Sequence, residues 1–311
     1  MPGRSRWHFK KYFQRKGQPS KGRRFSWPLE NGLIMKSYVR SIILTGYGTN
    51  CEMETAHACR LGGSDVVDIV HISELLCGSR RLDDYDFLNL PGGFLDGDDL
   101  GVAKAGANRI IHATVKSTGE RLLDQFLRFI RRGKLVLGVC NGFQLMVKLG
   151  LLPAFDGDYT RQWATLTYNE SGRFEDRWVY LKINPDSHCL FTRGMKGIYL
   201  PVRHGEGKFL PADGIVMERL HGRGQVVMQY SDREYENIIS SYPENPNGSV
   251  DSVAGICNET GRLFGLMPHP EAYLNRVNHP RWTREPVPEE GMGVKLFSNA
   301  VEFIRREKQA E

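Results

Sequence analysis

The sequence predicts an α/β fold: a mostly parallel sheet with helices on both faces and an antiparallel extension. Three observations carry that prediction. Apolar, β-branched runs alternate with helix-like stretches through the first half of the chain. Two of those runs lead straight into glycine-rich turns, at 91–93 and at 138–142. After Pro153 the runs become short and are separated by turn-rich segments, as in antiparallel pairing that continues the same domain.

In order, 38–46 reads as a buried strand, 51–61 as a helix and 65–72 as a second strand. A third strand, 85–90, runs into Pro91-Gly92-Gly93-Phe94. Residues 117–132 carry the 3.6-residue period of a helix, with Leu122, Leu123, Phe126, Phe129 and Ile130 on one side and Gly133 closing it. The strand 134–139 then meets a helix-like segment through Gly138-Val139-Cys140-Asn141-Gly142. Short strands are expected at 162–168, 177–183, 197–202 and 224–230. A buried strand at 263–267 ends at Pro268-His269-Pro270-Glu271, and 272–290 is a proline-rich loop. A helix over 293–306, with Val294, Phe297, Val301 and Ile304 inward, closes the chain.

Bulk properties exclude several classes. With 311 residues the chain can bury a full core, and no apolar run is long enough to span a membrane. The net charge of +6 misleads: residues 1–40 hold eleven Lys/Arg against Glu30, a local +10 that leaves the body at −4. A nucleic-acid-binding domain carries its positive charge on the fold, so no nucleic-acid partner is expected. Residues 1–36 are read as a basic extension, either disordered or lying ahead of the true start near Met35; the domain is 37–311. Six cysteines without metal-ligand spacing, and no signal-peptide core, point to a reducing cytoplasm and to no metal site.

The pattern around Cys140 has the form of a nucleophile elbow with cysteine in place of serine. Such a turn exposes the thiol at the carboxyl end of a strand, beside the free N–H groups of a helix. A cysteine nucleophile needs a base, and the base needs an orienting acceptor. His269 and Glu271, two residues apart after a buried strand, supply both. Gly92, Gly93 and Phe94 can bring one backbone N–H to an oxyanion, and Asn141, directly after the nucleophile, another. Cys51 lacks the glycine frame and is read as structural.

Taken together, Pro91-Gly92-Gly93-Phe94, Gly138 to Gln144 and His269-Pro270-Glu271 resemble the class I, triad-type glutamine amidotransferases, whose fold is flavodoxin-like. Within that superfamily, Cys140-Asn141-Gly142-Phe143-Gln144 resembles the glutaminases of phosphoribosylformylglycinamidine synthases, as do 48–58, 169–178 and 201–207. The resemblance runs from about residue 41 to the C-terminus. It implies catalytic Cys140, His269 and Glu271, and an oxyanion hole at the backbone of Gly93, Phe94 and Asn141. It also implies glutamine contacts at Gly92, Gln144, His204 and Glu206.

By the same resemblance, ammonia passes to a synthetase partner in purine biosynthesis, with or without a small accessory subunit. ATP and magnesium are used there and no cofactor by this chain, which has no P-loop. Free activity is expected to be low. The loop Gly92 to Asp99 departs from the common family sequence while keeping its glycines, and 154–260 is longer than in compact subunits. A triad amidotransferase serving another synthetase, or a non-catalytic module of this fold, are the alternatives.

Overall fold

In the computed structural model, which describes residues 37–310, five parallel strands form one half of a nine-stranded sheet. They are β1 (Arg40–Thr45), β2 (Val66–His71), β3 (Phe87–Leu90), β4 (Leu135–Val139) and β11 (Leu263–Leu266). Their order is β2-β1-β3-β4-β11. Every residue of β3, β4 and β11 is buried. Successive side chains on a strand point to opposite faces, so burial along the whole strand requires cover on both. That cover comes from two helix groups. One pairs α1 (Glu52–Leu61) with α7 (Val294–Ala310); the other joins α3 (Lys104–His112), α4 (Leu122–Arg131) and α5 (Asn141–Lys148).

Beyond β11 the sheet turns antiparallel through β10 (Val253–Cys257), β9 (Val226–Ser231), β6 (Glu175–Ile183) and β7 (Gly197–His204). The expected antiparallel extension is therefore present, with one correction. The strand expected at 162–168 is β5 (Ala164–Thr167), and it leaves the main sheet to pair with β8 (Lys208–Pro211). Four elements carry no clear signal in sequence: α3, β8, β10 and α6 (Gly214–Gly222). Gly255 interrupts β10, and Gly106 and Ala107 are among the few buried residues of α3, so neither presents a strong period. A short helix, α2 (Ile72–Cys77), begins where the second strand was expected to end, capped by His71 and Glu74.

Helices α4 and α7 bury the faces their periods predict, and Gly133 follows α4 in the left-handed region (φ +70°). The basic extension expected at 1–36 lies outside the described residues.

One property of this topology positions the site. β3, β4 and β11 are adjacent, parallel and level: Leu90 pairs with Gly138, and Leu266 with Val139. The three motifs that follow them therefore emerge side by side at the carboxyl edge, where open α/β sheets hold ligands. The antiparallel half curls back to meet them, because the His269 N–H donates to the Pro201 carbonyl at 2.8 Å.

Candidate active site

The turn between β4 and α5 is tight because glycine makes it so. A Cβ on Gly142 would lie 1.9 Å from the Leu90 carbonyl oxygen, and one on Gly138 would meet Met146 Sδ at 2.5 Å. Either side chain would push α5 off the strands. Between them Cys140 adopts φ +50°, ψ −104°, a conformation costly for a non-glycine residue. Its N–H is fixed by the Leu266 carbonyl at 2.8 Å, and its Sγ lies 3.7 Å from the Arg203 carbonyl. The thiol is buried at the wall of a cavity of about 280 Å³, also lined by Gly93, Phe94, Gln144, His204, Glu206 and His269. That is room for a small metabolite.

His269 follows β11. Its Nδ1 lies 2.5 Å from Glu271 Oε1, both side chains being almost wholly buried. The carboxylate only accepts, so Nδ1 carries the proton and Nε2 is left without a protein partner. Burial opposes a charge on this ring. The Glu271 carboxylate, then the Cys140 and Cys51 thiols against it, outweigh burial and raise its pKa well above the ordinary value. Such a ring holds a proton firmly enough to take one from a thiol and carry it to a leaving group.

The two glycines after β3 have separate reasons. A Cβ on Gly92 would strike the His269 ring at 2.7 Å, so Gly92 packs against the imidazole and leaves the cavity wall to its neighbours. Gly93, at φ +133°, bridges to Thr49, and a Cβ there would meet the Gly48 carbonyl oxygen at 2.6 Å. The expectation for Phe94 is corrected: its N–H already donates to the Gly48 carbonyl at 2.8 Å, because the bridge to the β1 loop captures it. The N–H groups left to face an oxyanion are those of Gly93 and of Asn141, the first residue of α5, which has no intrahelical acceptor.

His204 ends β7, equally buried. Its Nδ1 contacts Asn169 Oδ1 at 3.1 Å; that oxygen also accepts the Gly207 N–H at 2.9 Å, while Asn169 Nδ2 donates to the His204 carbonyl at 2.7 Å. With Asn169 so oriented, His204 Nδ1 bears the hydrogen and Nε2 is an unpartnered acceptor. Burial, then the nearby His269 charge, push His204 down to about 3, so the ring is neutral. Glu206 accepts the Val102 N–H at 3.3 Å, and burial pushes its carboxyl up. Gln144 donates to the Glu206 carbonyl and accepts from Asn141 Nδ2 at 3.3 Å, so both ends of its amide are engaged within the protein.

Sequence reasoning missed three kinds of contributor. Cys51, read as structural, lies on the cavity wall, with its Sγ, a His269 nitrogen and a Glu271 oxygen all within 4.8 Å of one another. No other such donor group occurs among the described residues, and the His269–Glu271 bond already occupies two of these three donors. Burial raises the Cys51 thiol pKa, with His269 opposing. Glu54 and Arg203 bring opposite charges to the wall, and Asn169 orders the loop after β7. Neither a spacing nor a glycine frame marks any of them.

Residues 38–304 match the model of the CobB/CobQ-like glutamine amidotransferase domain. The phosphoribosylformylglycinamidine synthase subunit PurQ of Dehalococcoides mccartyi is 44% identical over 270 residues, covering 87% of this chain and 99% of that protein. The subunit of the same name from Methanococcus maripaludis is 40% identical over 283 residues, covering 88% of this chain and all of that protein. Among solved structures, a chain of PurLQS from Thermotoga maritima superposes with a TM-score of 0.61 at 28% identity, covering 86% of this chain and 99% of that one.

Proposed function

From its membership of the CobB/CobQ-like glutamine amidotransferase domain family, to which this chain belongs, we propose that it is the glutaminase subunit of a phosphoribosylformylglycinamidine synthase. It hydrolyses glutamine to glutamate and supplies ammonia to a synthetase subunit that makes formylglycinamidine ribonucleotide. The observation that carries the chemistry is the convergence of Cys140, the bonded His269–Glu271 pair and Gly93 on one cavity, with Asn141 directly after Cys140 at the start of α5.

The Cys140 sulfur attacks the side-chain amide carbon of glutamine as His269 takes the thiol proton. The carbonyl oxygen becomes an oxyanion held by the N–H groups of Gly93 and Asn141. His269 returns its proton to the amide nitrogen, the C–N bond breaks and ammonia leaves, with a thioester remaining on Cys140. Water, deprotonated by the same imidazole, releases glutamate and restores the thiol. Glu271 fixes the ring's tautomer and stabilises its cation throughout.

On this reading ATP and magnesium belong to the synthetase, this chain needs no cofactor, the working unit is 37–311 and the complex is cytoplasmic. Among the described residues no helix is long and apolar enough to cross a membrane. Phe94 and Phe174 line the cavity yet remain 39% and 59% exposed, an apolar rim suited to a docked partner. Cys140→Ala tests the reading in the complex reconstituted with the synthetase. Glutamine-dependent amidine formation is expected to vanish while synthesis from added ammonium persists. Retained glutamine-dependent turnover would remove Cys140 as nucleophile.

A further inference from the structure

We infer that the Asn141 side chain is a positioning device for the oxyanion hole, held in register by Gln144; this rests on the glutaminase reading. The two free donors sit on different segments. One is the backbone of Asn141 itself, on α5, and the other is Gly93, on the loop after β3. Nothing in the elbow alone fixes the distance between them. That loop is secured before Gly93 by the Asn50 N–H, which donates to the Gly92 carbonyl at 3.3 Å, and after it by two further bonds. Phe94 N–H donates to the Gly48 carbonyl at 2.8 Å, and Leu95 N–H donates to Asn141 Oδ1 at 3.0 Å in a buried bond. Asn141 therefore contributes one donor through its backbone and tethers the bearer of the other through its side chain.

The direction of the Asn141 amide follows from its neighbours. The Glu206 carbonyl can only accept, so the Gln144 end facing it must be the NH2 group. Gln144 Oε1 then faces Asn141 Nδ2 at 3.3 Å, which turns Asn141 Oδ1 toward Leu95. Each link dictates the next, from the loop after β7 to the loop after β3. Asn141 and Gln144 are both 2% exposed, so water does not substitute for a missing partner. The cradle for the developing charge is thus set by a relay of two amides, Gln144 in the cavity wall and Asn141 behind it.

The test uses Asn141→Ala and Gln144→Met in the reconstituted complex, with glutamate release as the assay. Asn141→Ala keeps its backbone N–H but frees the loop, so kcat is expected to fall about 100-fold, the scale of losing one oxyanion donor. KM is expected to stay within about threefold, because the tether acts on the transition state. Gln144→Met lowers kcat by about fivefold to tenfold, and the double variant matches Asn141→Ala alone, since Gln144 acts through Asn141.

Alkylation of Cys140 by iodoacetamide makes no oxyanion, and its rate is expected to persist in all three variants. A kcat within threefold of wild type for Asn141→Ala, additive losses in the double variant, or a parallel loss of alkylation would each overturn the relay. The last would mark a collapsed elbow instead. A wild-type complex that releases no glutamate would overturn the glutaminase reading itself, which separates the two failures.

Discussion

Two imidazoles face the same crevice from the two halves of the sheet, and they are driven in opposite directions. His269 follows β11 in the parallel half; His204 ends β7 in the antiparallel half. Both are 3% exposed, and both present an Nδ1 hydrogen to an oxygen. Burial lowers both. For His269 the acceptor is the Glu271 carboxylate, and its charge carries the pKa well above the ordinary value. For His204 it is the Asn169 amide, which has no charge to offer, and the ring falls to about 3. Burial alone thus makes a neutral acceptor; burial beside a carboxylate makes a proton carrier. The two are also linked, since the cation on His269 helps to keep His204 neutral.

The largest effect comes from erasing that difference. Glu271→Gln gives His269 an amide partner like that of His204, and its pKa is expected to drop below the ordinary histidine value. With the ring no longer a stable cation and its tautomer no longer fixed, kcat for glutamine hydrolysis is expected to fall about 10³-fold or more. The pH dependence of Cys140 alkylation reads the same change separately from turnover. A Glu271→Gln variant within tenfold of wild type would mean that the buried carboxylate is not what separates the two rings.

A second comparison sits on the same imidazole, between its two thiols. Cys140 is placed by an elbow, with a helix N-terminus behind it; Cys51 lines the same cavity, its pKa raised by burial. Cys51→Ala is expected to keep glutamine-dependent kcat within about threefold, against complete loss for Cys140→Ala. A loss beyond tenfold would show that Cys51 shapes the charge on His269 and not merely the wall around it.

The legibility of the site divides along the same line as the sheet. The elbow, Gly92-Gly93 and His269–Glu271 could be read because each depends on residues within a few positions of one another at a strand end. Glycine was required there by atoms that the structure places within 3 Å. The parallel order of β3, β4 and β11 then brings these short motifs together. What escaped depends on contacts distant in sequence.

Whether Phe94 has a free N–H is decided by a bridge to Gly48, and Cys51 reaches His269 only because the β1 loop folds over the same edge. Asn169 serves His204 across 35 residues. Sequence reading placed His204 and Glu206 near the substrate by resemblance, but the neutral state of His204 follows from its burial and from the neighbouring His269, neither of which is visible in sequence. In the same way, nothing within 162–168 discloses that it pairs with 208–211 in place of the main sheet.

The smallest effect in this series concerns stability, and it arises from the histidine that stays neutral. The folded pKa of His204 is about 3 against 6.5 for an unperturbed ring. Between those values the unfolded chain binds a proton that the folded chain refuses, so this group favours unfolding increasingly as pH falls below about 6.5. The slope is about 1.4 kcal/mol per pH unit, roughly 2 kcal/mol by pH 5. His269 acts in the opposite sense: its raised pKa lets the folded state bind the proton first, a stabilising contribution fully present below the unfolded pKa and lost as pH rises through the folded one. Mild acid therefore draws its penalty from the antiparallel half. His204→Gln, which can still donate to Asn169, is expected to flatten the loss of denaturation midpoint between pH 7 and pH 5 relative to wild type. If the two proteins lose stability in parallel over that range, His204 is not the group held neutral at the expense of the fold.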